Sequence, residues 1–145
     1  MKKLSYMEWT PSISVGIERI DAQHRSLFDT TNRLIDIFES GSDYLLPVFN
    51  ELFEYISFHF WEEHMLMIKI HYPYFDSHEQ AHMIFTEKLR EFVKRNDQEN
   101  NRDLEFDMIA FLKDWIVNHI KGMDMQYADY IRRLDLPEHG LILTT

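Results

Sequence analysis

The sequence contains no cysteine. That excludes disulfides, thiolate-held metals, iron–sulfur clusters and cysteine nucleophiles together, so any metal must be held by nitrogen and oxygen. Glycine and proline are scarce, at four each in 145 residues, and the strongest polar break is Asn96 to Asp103. The pattern leaves no flexible linker or low-complexity stretch, and the length suits one domain, residues 1–145, with a core of ordinary size. Basic residues are also in deficit: 15 lysines and arginines face 25 acids, for a formal net charge of −10. Nucleic acid and anionic membranes both need a basic surface, so neither is an expected partner. No apolar run reaches membrane-spanning length, and the two lysines of Met1 to Leu4 are not followed by the apolar stretch of a secretory signal. A soluble, cytoplasmic protein is expected.

What the sequence does have is histidine, eight in all, set in helical apolar stripes. Ile20, Leu27, Phe28, Thr31, Leu34, Ile35 and Phe38 follow the three-and-four spacing of one helix face, with His24 among them. Ser40-Gly41-Ser42 ends that helix. A second stripe runs through Val48, Phe49, Leu52, Phe53, Ile56 and Phe60 toward Ile70, carrying His59 and Glu63, with Pro47 tolerable in its first turn. After the break at Tyr72-Pro73, Asp76 or Ser77 can cap a third helix with Phe75, His78, His82, Phe85, Leu89 and Phe92 on one face. Asp103 can cap a fourth, with Phe106, Ile109, Leu112, Ile116, His119 and Met123. The expected helices are about 18–39, 45–70, 76–95 and 103–121, with a short one at about 126–133. The fold class is all-α: an up-down-up-down antiparallel four-helix bundle with an N-terminal extended segment and a short C-terminal helix.

This topology has a consequence for the polar residues in the stripes. The starts of the first and third helices share one end of the bundle with the later halves of the second and fourth. His24, His59, Glu63, His78, His82, His119 and Asp124 therefore fall at similar depth. A single histidine on an apolar face is most often a core residue with a hydrogen-bonded partner. Five imidazoles and two carboxylates in one buried layer are different, because each unpaired group costs several kcal/mol, and divalent cations are the natural compensation. The four-residue spacing of His59 with Glu63, and of His78 with His82, stacks each pair on one helix face. His119 and Asp124 are five apart, which in a regular helix points them roughly 140° apart. A π-bulge or loosened turn at Gly122 is expected to bring Asp124 back.

These segments resemble the hemerythrin family, in particular its single-domain bacterial members. The residues that carry the resemblance are Trp9, Ser14-Val15-Gly16, Ile20 to His24, His59 to His64, His78 to His82 and Trp115 to Asp124. The resemblance implies two non-haem iron ions, bridged by an oxo or hydroxo group and by Glu63 and Asp124. It implies that His78, His82 and His119 fill one iron's sites, whereas His24 and His59 bind the other and leave one position open. It further implies reversible dioxygen binding, as in an oxygen carrier, store or delivery protein and not an enzyme, by a monomer with dioxygen as its partner. Neutral imidazoles stabilise iron(III) less than carboxylates do, which favours a reversible cycle. Phe28, Phe60, Ile116 and Ile120 are expected to wall the site.

Other readings compete. His78-Glu79-Gln80-Ala81-His82 matches the zinc-protease pattern H-E-x-x-H, but Phe85 and Lys88 stand where the extended form needs glycine and histidine, and Glu99 or Glu105 would have to be the third ligand. In the di-iron reading Glu79 is only a first-turn residue favourable to the helix dipole. A ferritin-like oxidase or iron store would use inward glutamates and paired Glu-x-x-His motifs, of which only Glu79 to His82 is present. An oxygen or nitric oxide sensor would use the same ligands. Trp61, Trp115, Phe85, Met65, Met67 and Met123 are read as core packing, and His64, His71 and His139 as non-ligands. The sequence does not assign the partners that must back the metal-binding imidazoles, although Asp21 and Glu62 are candidates. Leu141-Ile142-Leu143 is expected to pack back on the bundle.

Overall fold

The computed structural model describes residues 4–42, 45–99 and 102–134, without the side chains of residues 97 and 99. His139 and the Leu141-Ile142-Leu143 segment lie outside the described residues. A 3-10 turn, Pro11–Ile13, precedes α1 (Glu18–Ser40), α2 (Leu45–Lys69), α3 (Phe75–Glu99) and α4 (Arg102–His119). A π-helical turn, Ile120–Asp124, then joins α4 to α5 (Met125–Leu134). Each long helix packs on its neighbours in sequence, and α1 also packs on α4, closing the ring of an antiparallel four-helix bundle. Among the described residues no helix is long and apolar enough to cross a membrane.

The helix ends show how local chemistry sets this register. Gly41 closes α1 in the left-handed region (φ 72°), with its N–H bonded to the carbonyl of Phe38 at 3.1 Å and that of Ser42 to Ile37 at 3.3 Å. After α2 the same left-handed position is taken by His71 (φ 52°), and the Tyr72 N–H returns to the Met67 carbonyl at 3.0 Å. Asp76, Ser77 and Asp103 are not caps. α3 begins one residue before Asp76, Ser77 Oγ donates to the Tyr74 carbonyl, and Asp103 lies inside the first turn of α4. There a carboxylate favours the helix dipole without receiving a capping bond. The extended N-terminal segment is tied down by Asn32, whose side-chain amide pairs with both the N–H and the carbonyl of Met7, at 2.8 and 3.0 Å.

Two apolar clusters divide the interior. The longer contains Leu27, Ile56, Phe85, Leu112, Ile116 and Ile120 and fills most of the bundle. The shorter contains Ile20, Leu66, Met67, Tyr127 and Ile131 and seals one end under α5. The buried polar layer falls between them in every helix: His24 lies between Ile20 and Leu27, His59 and Glu63 between Ile56 and Leu66, and His119 and Asp124 between Ile116 and Tyr127. The core thus excludes water from the layer on both sides.

Candidate metal centre

All seven sequence-selected residues are buried and their ligating atoms converge. On one side the Nε2 atoms of His82 and His119 lie 3.0 Å apart, and those of His119 and His78 lie 3.2 Å apart. Asp124 Oδ1 is 3.2 Å from the Nε2 of both His78 and His119, and Glu63 Oε1 is 3.4 Å from that of His82. On the other side Asp124 Oδ2 is 3.2 Å from His24 Nε2, while Glu63 Oε1 is 3.4 Å from His59 Nε2. Glu63 and Asp124 belong to both groups, the trio's and the pair's, and each group's atoms lie within 4.8 Å of one another. Asp124 turns one oxygen to each side.

Asp124 reaches this position through its backbone. The π-helical turn from Ile120 to Asp124 has the widened geometry that the five-residue spacing from His119 requires. Tyr127, three residues further along, then points inward as well, and its hydroxyl donates to Glu63 Oε2 at 2.7 Å. Burial pushes the Tyr127 phenol well above its ordinary value, with the Glu63 carboxylate adding to it, so it remains a donor.

Outside the ring of ligating atoms, the helices supply partners that sequence reading did not identify. His59 Nδ1–H donates to Gln23 Oε1 at 2.6 Å, leaving Nε2 with its lone pair toward the layer. Gln23 in turn donates to Glu62 Oε1 at 3.3 Å, and Arg19 clamps the same carboxylate with Nε at 2.6 Å. Glu62 therefore backs His59 at one remove. Asp21 does not back a histidine: it accepts Ser14 Oγ–H at 2.5 Å and the Val15 N–H at 2.9 Å, fixing the entry to α1. Glu79 does more than complement a helix dipole. Its two oxygens lie 3.6 Å from His82 Nδ1 and 3.1 Å from His64 Nδ1, turned away from a protease-like position between His78 and His82.

Electrostatics follow this geometry. Burial pushes both carboxyls up, and the imidazoles outweigh it: Glu63 is held below its ordinary value by His59 and His82, and Asp124 well below by His119, His24 and His78. Burial drives His59 down to about 4, so it is neutral. Burial also opposes charge on His82, but Glu63 and Glu79 raise it to about 9.

The residues fit a metal. His24 Nε2, Glu63 Oε1 and both Asp124 oxygens are fully buried without a hydrogen-bond partner. The three Nε2 atoms of the trio face one another, where neutral imidazoles can satisfy only some of their lone pairs. Each such group costs a few kcal/mol in a dry interior, and nitrogen with carboxylate oxygen is a donor set that iron accepts.

A small cavity adjoins the layer. It is lined by His24, His59, His119 and Asp124 together with Leu27, Ile56, Phe60, Phe85, Trp115, Ile116 and Ile120. Phe60, Ile116 and Ile120 wall it as expected. Phe28 does not: it packs in the core, and Leu27, about 100° around the helix, takes its place. Phe60 stacks on His82 at 3.7 Å, and Trp115 on His119 at 4.2 Å and on Phe85 at 3.8 Å. Trp61 and Met65, expected in the core, are exposed on the outer face of α2.

Comparison with known proteins gives a consistent picture. The family model for the hemerythrin HHE cation binding domain matches residues 15–131. A bacteriohemerythrin of Clostridium acetobutylicum is 30% identical over 83% of this chain and 98% of its own. A hemerythrin-like protein of Naegleria gruberi is 32% identical over 85% of this chain and 92% of its own. Among solved structures, a crystal structure of a leucine-to-phenylalanine mutant superposes with a TM-score of 0.76 at 26% identity, over 87% of this chain and 97% of that one.

Proposed function

Because the chain belongs to the hemerythrin family of metal-binding domains, we propose that it binds dioxygen reversibly, as a carrier or store, at two iron ions held by His24, His59, Glu63, His78, His82, His119 and Asp124. The observation that carries this reading is the asymmetry of the cavity. It touches both histidines of the pair but, of the trio, only His119, so free space adjoins the side with fewer donors. When bound, a di-iron pair supplies the reversible electron transfer that dioxygen binding requires.

The protein's own residues do the rest. Gln23 fixes the ring orientation of His59 by a hydrogen bond, while Phe60 stacks on the His82 ring and the Glu79 carboxylate faces its Nδ1. Tyr127 engages Glu63 Oε2 and leaves Oε1 to face the metals. Leu27, Ile56, Phe60, Phe85, Ile116 and Ile120 exclude water, which would otherwise assist loss of a reduced oxygen species. The cavity volume of about 10 Å³ is on the scale of a single small molecule and gives no room to an organic substrate, which favours binding over oxidase turnover.

The test is optical. The reduced, iron-loaded protein should develop a charge-transfer band on aeration and lose it on deoxygenation, through repeated cycles, with two irons per chain by metal analysis. Irreversible oxidation on the first aeration would overturn the reading.

A further inference from the structure

α2 is apolar on two faces. Its inner face carries Ile56, His59, Glu63 and Leu66, while Phe58, Trp61, Met65 and Ile68 follow the same three-and-four spacing on the opposite, outer face. Those four are 43%, 48%, 37% and 48% exposed. Single exposed apolar side chains are ordinary, but a continuous stripe on a helix that ought to be polar outside marks an interaction surface. α3, packed along α2, adds Met83 at 66% exposed.

The ends of the stripe indicate what covers it. Glu54 stands one turn before Phe58 and Lys69 directly after Ile68, both exposed. A partner with a uniformly basic rim would face acid at both ends, but here the ends carry opposite signs. That is the pattern of a self-complementary contact, in which the same patch meets itself about a two-fold axis. We propose that α2 pairs antiparallel with α2 of a second copy of this chain, with the axis beside Trp61, at the level between residues 61 and 62. One register then sets Phe58 against the partner's Met65, and Glu54 against the partner's Lys69. The stripe leaves on the order of 400 Å² for contact, about half of what one partner gives to a standard interface, and Met83 of α3 adds to it. A contact of this size belongs to the weak, transient class of interfaces. It places the two metal layers back to back, since His59 and Glu63 sit on the other face of the same helix, and it departs from the monomer that the family resemblance implies. It does not depend on iron binding.

Sedimentation equilibrium of the full iron-loaded chain between about 5 and 500 µM tests this. A concentration-dependent dimer is expected, with Trp61→Lys, and separately Met65→Lys, monomeric at unchanged helix content and iron stoichiometry. Glu54→Lys and Lys69→Glu should each weaken the dimer at least about threefold, as expected for loss of an interface ion pair, and the double exchange should restore it. A chain that stays monomeric throughout, or a dimer indifferent to Trp61→Lys and Met65→Lys, would overturn the interface. Failure of the double exchange to restore pairing would overturn the register.

Discussion

His82 Nδ1 faces a carboxylate, Glu79, across 3.6 Å, whereas His59 Nδ1 is hydrogen-bonded to a neutral amide, Gln23, at 2.6 Å. The same division runs through the rest of the layer. The trio is pressed from outside by stacked rings, Phe60 on His82 and Trp115 on His119, and its three Nε2 atoms already crowd together. The rings of the pair meet at 4.7 Å, much as the trio's do at 4.6 to 4.8 Å, but among the described residues no aromatic ring stacks on either, and the small cavity touches both His24 and His59. Among the described residues, two carboxylates, Glu63 and Asp124, connect the halves. A carboxylate behind an imidazole makes it a stronger donor, while an amide fixes its orientation with less effect on basicity. On the proposed reading the halves serve different tasks, the trio to hold and the pair to stay open.

The strongest way to break this comparison is to remove a trio member. His119→Ala should leave fewer than two irons per chain and abolish the charge-transfer band. Full occupancy with an unchanged spectrum would mean that the trio is not a binding half. A milder intervention addresses the partners behind the ligands. Glu79→Gln should weaken iron binding by about 10- to 100-fold, and Gln23→Glu, which puts a carboxylate behind both halves, should bring the two binding constants closer together. Equal losses from Glu79→Gln and Gln23→Ala in a calorimetric titration would remove the distinction drawn here.

The smallest effect is on the metal-free protein. Both histidines start from the ordinary value of 6.5, with His59 held down at about 4 and His82 raised to about 9. Between 4 and 6.5 the unfolded chain binds a proton at residue 59 that the folded chain refuses, so stability falls as pH drops. Between 6.5 and 9 the folded chain keeps a proton at residue 82 that the unfolded chain releases, so stability falls as pH rises. Urea denaturation should show a maximum near pH 6.5, with His59→Gln flattening the acid limb and His82→Gln the alkaline limb. Limbs unaffected by these changes would show that the two rings do not differ in the way described.

The fold and the convergence of the seven residues were legible because both depend on spacing within single helices. Even the wide turn at Asp124 was visible, since five residues cannot face one way in an α-helix. The outer partners were not legible. Gln23 meets His59, and Tyr127 meets Glu63, across helix pairs, and only crossing geometry decides such contacts. The one local signal was that Tyr127 lies one turn past Asp124. Trp61 and Met65 were misassigned for a related reason: periodicity finds an apolar face, but α2 has two, and the sequence does not say which one looks outward.

The widened turn at residues 120–124 also changes what an insertion or deletion does. Elsewhere in α4, losing one residue rotates everything downstream by about 100° and would carry Asp124 and Tyr127 out of the layer. Within this turn one residue is already surplus to an α-helix. Deleting Gly122 would leave the aspartate four positions beyond His119, still on its face of an ordinary helix. The segment that looks most irregular is thus where the chain can best survive a change in length.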